Sequence, residues 1–190
     1  MKLHIIALVS VVTVLPALAQ QPDFAGMVKA LEGISSANVS NAASVVNFRE
    51  LKKLLPTTAA GIKRTSAEGQ KQSTMGITIS YAEAQYEKDE SSISVKITDT
   101  TGTGFMAMGA AAITMSEIDK ESDDGFERTA TLQGCKGLEK YNSSDKSGEI
   151  QVWVGARFMV EVTGNGVSFE SLSKTLAAID LKALAAIKPE

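Results

Sequence analysis

The side chains that could do chemistry in this chain are mainly carboxylates, because imidazole is almost missing. The sequence has one histidine, His4, and one cysteine, Cys135. His4 lies in a leader-like segment, so we expect the exported chain to contain no histidine at all. That would exclude the usual catalytic triads, Cys–His pairs and histidine-based metal sites. Paired carboxylates remain, and a histidine-free carboxylate-dependent enzyme is therefore one alternative.

Two stretches have a pattern that could hold a metal ion. Met106 and Met108 have the Met-x-Met spacing that soft Cu(I) can use, which makes a Met-based soft-metal carrier another alternative. Methionines beside small residues more often fill a core. The acidic stretch 119–125 resembles the start of a calcium loop, but Gly125 stands one position late and Ala130 replaces the bidentate glutamate. We expect no cofactor, and an exposed acidic turn at 122–125.

A ligand site is predicted in a groove between the sheet and its helices. The candidate residues are Arg128, Glu139, Trp153, Met159 and Met106. An arginine–glutamate pair on an apolar face could orient an anionic ligand. The plainer interpretation is an ion pair at the sheet edge or under a helix end. Arg157, at a loop tip, is expected to be solvated, and Cys135 to be a small buried residue without nucleophilic function.

Strands must position these residues, and the C-terminal third of the chain predicts their register. A turn at Gln133-Gly134 places Arg128 opposite Glu139, because glycine accepts positive φ. A three-residue loop at 155–157 places six apolar side chains on one face of the next hairpin: Ile150, Val152, Val154, Phe158, Val160 and Val162. Trp153 and Met159 then lie on the other face and need cover, for which a helix is one option.

Helices are predicted from caps and apolar stripes. Asn47, with Glu50 as reciprocal partner, begins a helix that Pro56 ends. Ser168 begins another over 169–187, with a kink at Asp180. A short buried helix is expected at 105–112, and an N-terminal helix at 23–31 followed by a polar linker. Upstream strands are expected at 62–68, 76–87 and 93–99.

Residues 1–19 are predicted to be a secretory signal peptide. Lys2 precedes an apolar run over residues 5–15, and Ala17-Leu18-Ala19 forms a small-x-small cleavage site. The domain plan is therefore a signal peptide (1–19), an N-terminal helix and linker (20–44), and one α+β domain (45–190). We expect the mature protein to be periplasmic or secreted, without a membrane span. Its mild acidity and lack of basic clusters argue against nucleic acid as a partner.

Three segments carry a resemblance: FRELKKLLP (48–56), GFERTATLQG (125–134) and VWVGARFMVEVTG (152–164). In these segments the chain resembles an exported bacterial family of uncharacterised proteins. The order of elements is also similar to PsbP-like α/β/α domains, which is a likeness of layout and does not fix function.

These observations predict an α+β fold, with a single, mainly antiparallel sheet packed by helices in a layout that resembles PsbP-like domains. They favour a non-catalytic binding or accessory module of the bacterial envelope. Its partner would be another envelope protein or a small apolar or anionic ligand.

Overall fold

The computed structural model describes residues 44–74, 77–101, 117–155 and 157–188. These residues form nine strands: β1 (Thr58–Ala59), β2 (Ile62–Thr74), β3 (Ile77–Lys88), β4 (Ser91–Asp99), β5 (Asp119–Ser122), β6 (Gly125–Leu132), β7 (Cys135–Asn142), β8 (Ser147–Val154) and β9 (Phe158–Asn165). They also form three helices: α1 (Phe48–Lys53), α2 (Phe169–Ala177) and α3 (Leu181–Ala186). The predicted signal peptide, N-terminal helix, linker to residue 43 and 105–112 helix lie outside the described residues.

The strands form one antiparallel sheet in the order β1-β2-β3-β4-β9-β8-β7-β6-β5. The first four strands meander to the centre. The chain then continues at the opposite edge with β5 and meanders back, so that β9 pairs with β4. The prediction of a mainly antiparallel sheet is confirmed.

The predicted α+β class is wrong, because strands dominate the described residues and the fold is closer to all-β. The likeness of layout to PsbP-like domains stays a prediction. Two features explain the error. β2 continues to Thr74 through polar, exposed residues that carry no apolar alternation. The expected 169–187 helix is two short helices, since Asp180 leaves the helical conformation and caps α3 by accepting the Ala183 N–H at 2.8 Å.

Both C-terminal hairpins have the predicted register. Arg128 pairs with Glu139 across the Gln133-Gly134 turn, where both turn residues have positive φ. Val154 pairs with Phe158 across the three-residue loop. The six apolar side chains of β8 and β9 accordingly lie together on one face, and all are buried.

The core lies between that face and the three helices. Leu172 of α2 fits over Gly148 and Gly164, which are Cα partners on β8 and β9. A Cβ added to Gly148 would lie 3.1 Å from Leu172 Cδ1, and one added to Gly164 would lie 2.6 Å from Leu172 Cδ2. The two glycines therefore let α2 approach the sheet closely.

α1 is confirmed near its predicted place. The Asn47 side chain accepts the Arg49 N–H at 3.0 Å and begins the helix. The Glu50 carboxylate also binds Lys53 Nζ at 2.7 Å. Val46 and Leu51 are both buried, as expected for a hydrophobic staple.

Candidate functional site

All three described helices pack on one face of the sheet, and the side chains of the opposite face alternate with the buried ones. We call this opposite surface, which carries none of the described helices, the helix-free face. Along its centre it carries these residues: Tyr81, Glu83, Lys96, Thr98, Glu161, Met159, Trp153 and Gln151. Polar and charged groups predominate, in contrast to the aliphatic core face.

A groove of about 500 Å³ crosses the helix-free face at the side of the sheet where β5, β7 and β9 end and β6 and β8 begin. Two rows of neighbouring residues form it: Lys120, Glu127, Lys140, Glu149 and Thr163 in one row, and Ser122, Gly125, Asn142, Ser147 and Asn165 in the other. Its rim also includes Glu121, Asp124, Phe126 and Tyr141.

Charges alternate along the first row of the groove. Lys120 Nζ lies 3.4 Å from Glu127 Oε2. Lys140 stands between Glu127 and Glu149 in the register, and Glu149 accepts a hydrogen bond from the Gln151 amide. Glu127 and Lys140 are register partners, but the ion pair of Glu127 is with Lys120. With Glu121 and Asp124 on the rim, carboxylates outnumber ammonium groups.

Glu161 lies beside this groove, at the centre of the helix-free face. Burial raises the pKa of the Glu161 carboxyl, and the nearby Glu149 and Glu83 carboxylates raise it further against the opposing effect of Lys96. Lys96 Nζ lies 3.6 Å from Glu83 Oε2 and 4.7 Å from the centre of the Tyr81 ring. The centre of this face is therefore a charged cluster in which carboxylates repel one another.

Trp153 and Met159 are direct cross-strand partners on the helix-free face, as the sequence predicts. Trp153 is only 9% exposed and Met159 is half-buried. Their position separates them from Arg128 and Glu139, whose register places them on the core face. The structure thus divides the predicted ligand residues between two faces. Met106 and Met108 lie outside the described residues.

Arg128 and Glu139 form the predicted pair, with Arg128 Nε 2.7 Å from Glu139 Oε2. The Glu139 side chain is 6% exposed and that of Arg128 is 47% exposed. The Arg128 guanidinium stacks over the Phe126 ring at 4.6 Å, and Phe126 meets Phe169 of α2 edge to face. This arrangement matches the plainer interpretation, an ion pair at the margin of the helix layer.

Arg157 is not solvated, and the prediction for this residue is wrong. Its guanidinium donates to both oxygens of Asp99, at 2.8 and 3.3 Å, and to the Ser44 carbonyl at 3.3 Å. Asp99 is fully buried and also accepts the backbone N–H groups of Val46 and Thr101. Burial raises the pKa of the Asp99 carboxyl, but the hydrogen bonds from Arg157, Thr101 and Val46 outweigh it and leave that pKa below its usual value.

Cys135 is half-buried, somewhat more accessible than predicted. In the described ranges, histidine, cysteine and acidic side chains form no group of three or more that could hold a metal ion. Nor does the described part of the chain include a helix long and apolar enough to cross a membrane.

No protein-family model matches the sequence, and comparison with curated proteins and with solved structures gives no match either. Sequence reasoning missed the groove. The sequence signal for it was one charged residue on each of three strands, Lys120 on β5, Glu127 on β6 and Lys140 on β7. The strand order and register had to be known before these residues could be placed in one row.

Proposed function

We propose that this protein is an exported, non-catalytic binding or accessory module of the bacterial envelope, which holds its partner in the groove on the helix-free face. The groove is the observation that carries this proposal. It is open to solvent, and it exposes hydrogen-bonding and charged groups that do not pack against the described helices. The leader-like segment at residues 1–19 supports export.

The acids that are held most firmly act as structural groups. Asp99 accepts hydrogen bonds on both carboxylate oxygens, and its depressed pKa keeps it ionised. Glu139 is engaged by Arg128. Neither is arranged to transfer a proton to a substrate, which favours binding over catalysis.

The charge of the groove narrows the kind of partner. Its lining carries two lysines and four acidic residues, which are Glu121, Asp124, Glu127 and Glu149. That excess of carboxylates disfavours an anionic ligand. The partner that fits best is a polar segment of another envelope protein, with amino or guanidinium groups that complement these carboxylates.

A pair of matched substitutions tests this proposal. Thr163→Tyr fills the groove, whereas Thr131→Tyr adds the same volume at an exposed position of the helix-free face outside it. Native mass spectrometry of protein taken from the exported fraction should detect a bound partner with the wild type and Thr131→Tyr, and lose it with Thr163→Tyr. A wild-type protein without a bound mass, or equal retention by both variants, refutes the proposal.

A carboxylate-dependent enzyme is the second candidate, and the raised pKa of Glu161 favours it. A carboxyl whose pKa is raised by burial and by neighbouring carboxylates is the kind of group that catalysis by two carboxylates uses as its general acid. This candidate predicts that Glu161→Gln abolishes a hydrolytic activity of the purified protein on glycoside substrates. If the wild type shows no such activity, this candidate fails.

A further inference from the structure

Among the described residues, β2 has no neighbouring strand along most of its outer edge. It has 13 residues, but β1 pairs only with Ile62 and Lys63. Thr57 extends this cover by one position, since its carbonyl accepts the Arg64 N–H at 3.1 Å. Beyond a bulge at residues 64–66, β2 pairs with β3 on one side and with no described strand on the other. At about 3.4 Å per residue, the free edge over 66–74 is about 30 Å long.

The hairpin connection determines which backbone groups point outward along this edge. Thr74 pairs with Ile77 across a two-residue connection, and the pair that closes such a hairpin exchanges both hydrogen bonds. The next pair is then a close, non-hydrogen-bonded pair, which agrees with the 2.8 Å between Ser73 Oγ and Thr78 Oγ1. The N–H and C=O groups of residues 67, 69, 71 and 73 therefore point away from β3.

The two edges of the sheet differ in the way they meet solvent. β5, at the other edge, has four residues, of which Asp119, Lys120 and Glu121 are charged. Short, charged edge strands resist pairing with another chain. Along the free edge of β2 only Glu68 and Lys71 are charged, and proline is absent. β2 of one copy cannot pair with β5 of another over most of its length, so a head-to-tail array of copies is disfavoured.

We propose that two copies of this chain pair antiparallel along β2, about a two-fold axis at Gln70, to form one continuous sheet. This axis lies at the middle of the free edge. Gly69 then stands opposite Lys71 of the second copy, and Ala67 opposite Ser73 of the second copy. These pairs exchange roughly eight backbone hydrogen bonds through the outward-pointing groups.

Side chains agree with this register and disfavour its neighbours. A two-fold axis perpendicular to the sheet keeps each residue on its own face, and directly opposite residues must share a face. The axis must therefore pass through a residue, and the nearest alternatives to Gln70 are Gly69 and Lys71. With the axis at Gln70, Glu68 meets Gln72 of the second copy, and Gln70 meets its own equivalent. An axis at Lys71 would oppose two ammonium groups, and one at Gly69 would carry the pairing into the bulge at 64–66.

Lys71→Pro tests the edge without disturbing the hairpin, because the Lys71 N–H points outward and β3 does not use it. Lys71→Ala is the matched control, since it removes the side chain and keeps the donor. In analytical ultracentrifugation over a roughly hundredfold concentration range, the wild type and Lys71→Ala should form dimers. Lys71→Pro should dimerise at least about tenfold more weakly, with an unchanged circular dichroism spectrum. A monomeric wild type, or a Lys71→Pro dimer of equal strength, overturns the proposal.

A cross-link tests the register even if the proline variant folds poorly. In a Cys135→Ser background, Gln70→Cys places two thiols opposite each other at the axis, within disulfide distance. Glu68→Cys places its two thiols roughly four residues apart, about 13 Å, which is beyond disulfide reach. Mild oxidation should link Gln70→Cys and leave Glu68→Cys monomeric on a non-reducing gel. Failure of the first or equal linkage of the second contradicts the proposed axis.

Discussion

Replacing Arg157 with methionine should be the most informative perturbation of stability in this fold. The substitution keeps most of the side-chain volume but removes the guanidinium that donates to both oxygens of Asp99. Asp99 is 0% exposed, so its charge would remain buried without its cation. Breaking a buried pair in this way costs about 3–5 kcal/mol. Because Arg157 is 20% exposed and the Val46 and Thr101 donors remain, we expect the free energy of unfolding to fall by about 3 kcal/mol, the lower end of this range.

The effect should depend on pH in a defined direction. The folded-state pKa of Asp99 is lowered, so its contribution to stability is present above the unfolded pKa of about 3.9 and is lost as pH falls through the folded value. In Arg157→Met, burial should raise that pKa, since the arginine's hydrogen bonds no longer oppose it. The difference between wild type and variant should therefore be largest near neutral pH and should shrink toward pH 3.

Urea unfolding followed by the fluorescence of Trp153, the single tryptophan of the chain, measures this loss directly. Lys174→Met is the control, because it breaks an exposed pair with Glu170 on α2 and should leave stability unchanged. A loss below about 1 kcal/mol for Arg157→Met at neutral pH, in the range of surface pairs, would refute the argument. A loss that does not change with pH would show that Asp99 is not the group responsible.

Three further predictions concern single side chains. Tyr86→Phe should lower the free energy of unfolding by about 1–2 kcal/mol, because the buried hydroxyl donates to the Pro56 carbonyl at 2.7 Å. Burial raises the pKa of Tyr86 to about 12 against the opposing charge of Arg64, so an ultraviolet titration of the variant should lack the phenolate step near pH 12. Gly148→Ala should lower the free energy of unfolding in urea by about 1–3 kcal/mol, because the added Cβ would lie 2.6 Å from the Lys140 carbonyl oxygen. Gly134→Ala is the control: its Cβ would have no atom within 4 Å, so only the smaller strain of the turn conformation should appear. Glu161→Gln should raise the thermal midpoint more at high pH than at low pH, because the raised pKa of Glu161 means that its stabilising protonated form is lost as pH rises through the folded value. An equal effect at pH 3, which is below the unfolded pKa of about 4.3, would contradict this.

The hairpins of the C-terminal third could be predicted because turn chemistry and alternation agree there. Gln133-Gly134 fixed one register, and the need to place six apolar side chains on one face fixed the other. α1 was predictable for a similar reason, since Asn47 and Pro56 mark its two ends. In each case the deciding information lies within about ten residues of sequence.

What could not be predicted depends on distant contacts. Arg157 and Asp99 are 58 positions apart, and only the β4–β9 pairing brings them together. The second half of β2 is polar throughout, so periodicity could not extend the strand past residue 68; β3 holds it in place by backbone pairing. The groove needs five neighbouring strands in known register. The apolar stripe over 169–187 continues through Asp180, so the pattern predicted one long helix where the structure has two short ones, α2 and α3.

Hydrogen–deuterium exchange tests the central claim, that the groove on the helix-free face holds a partner, most directly. The comparison is between protein as purified from the exported fraction and the same protein after unfolding, removal of bound molecules and refolding. Peptides that cover residues 120–127 and 140–149 should exchange more slowly in the first sample, and Thr163→Tyr should remove the difference. Equal exchange of these peptides in both wild-type samples, or protection confined to other strands, would contradict the account.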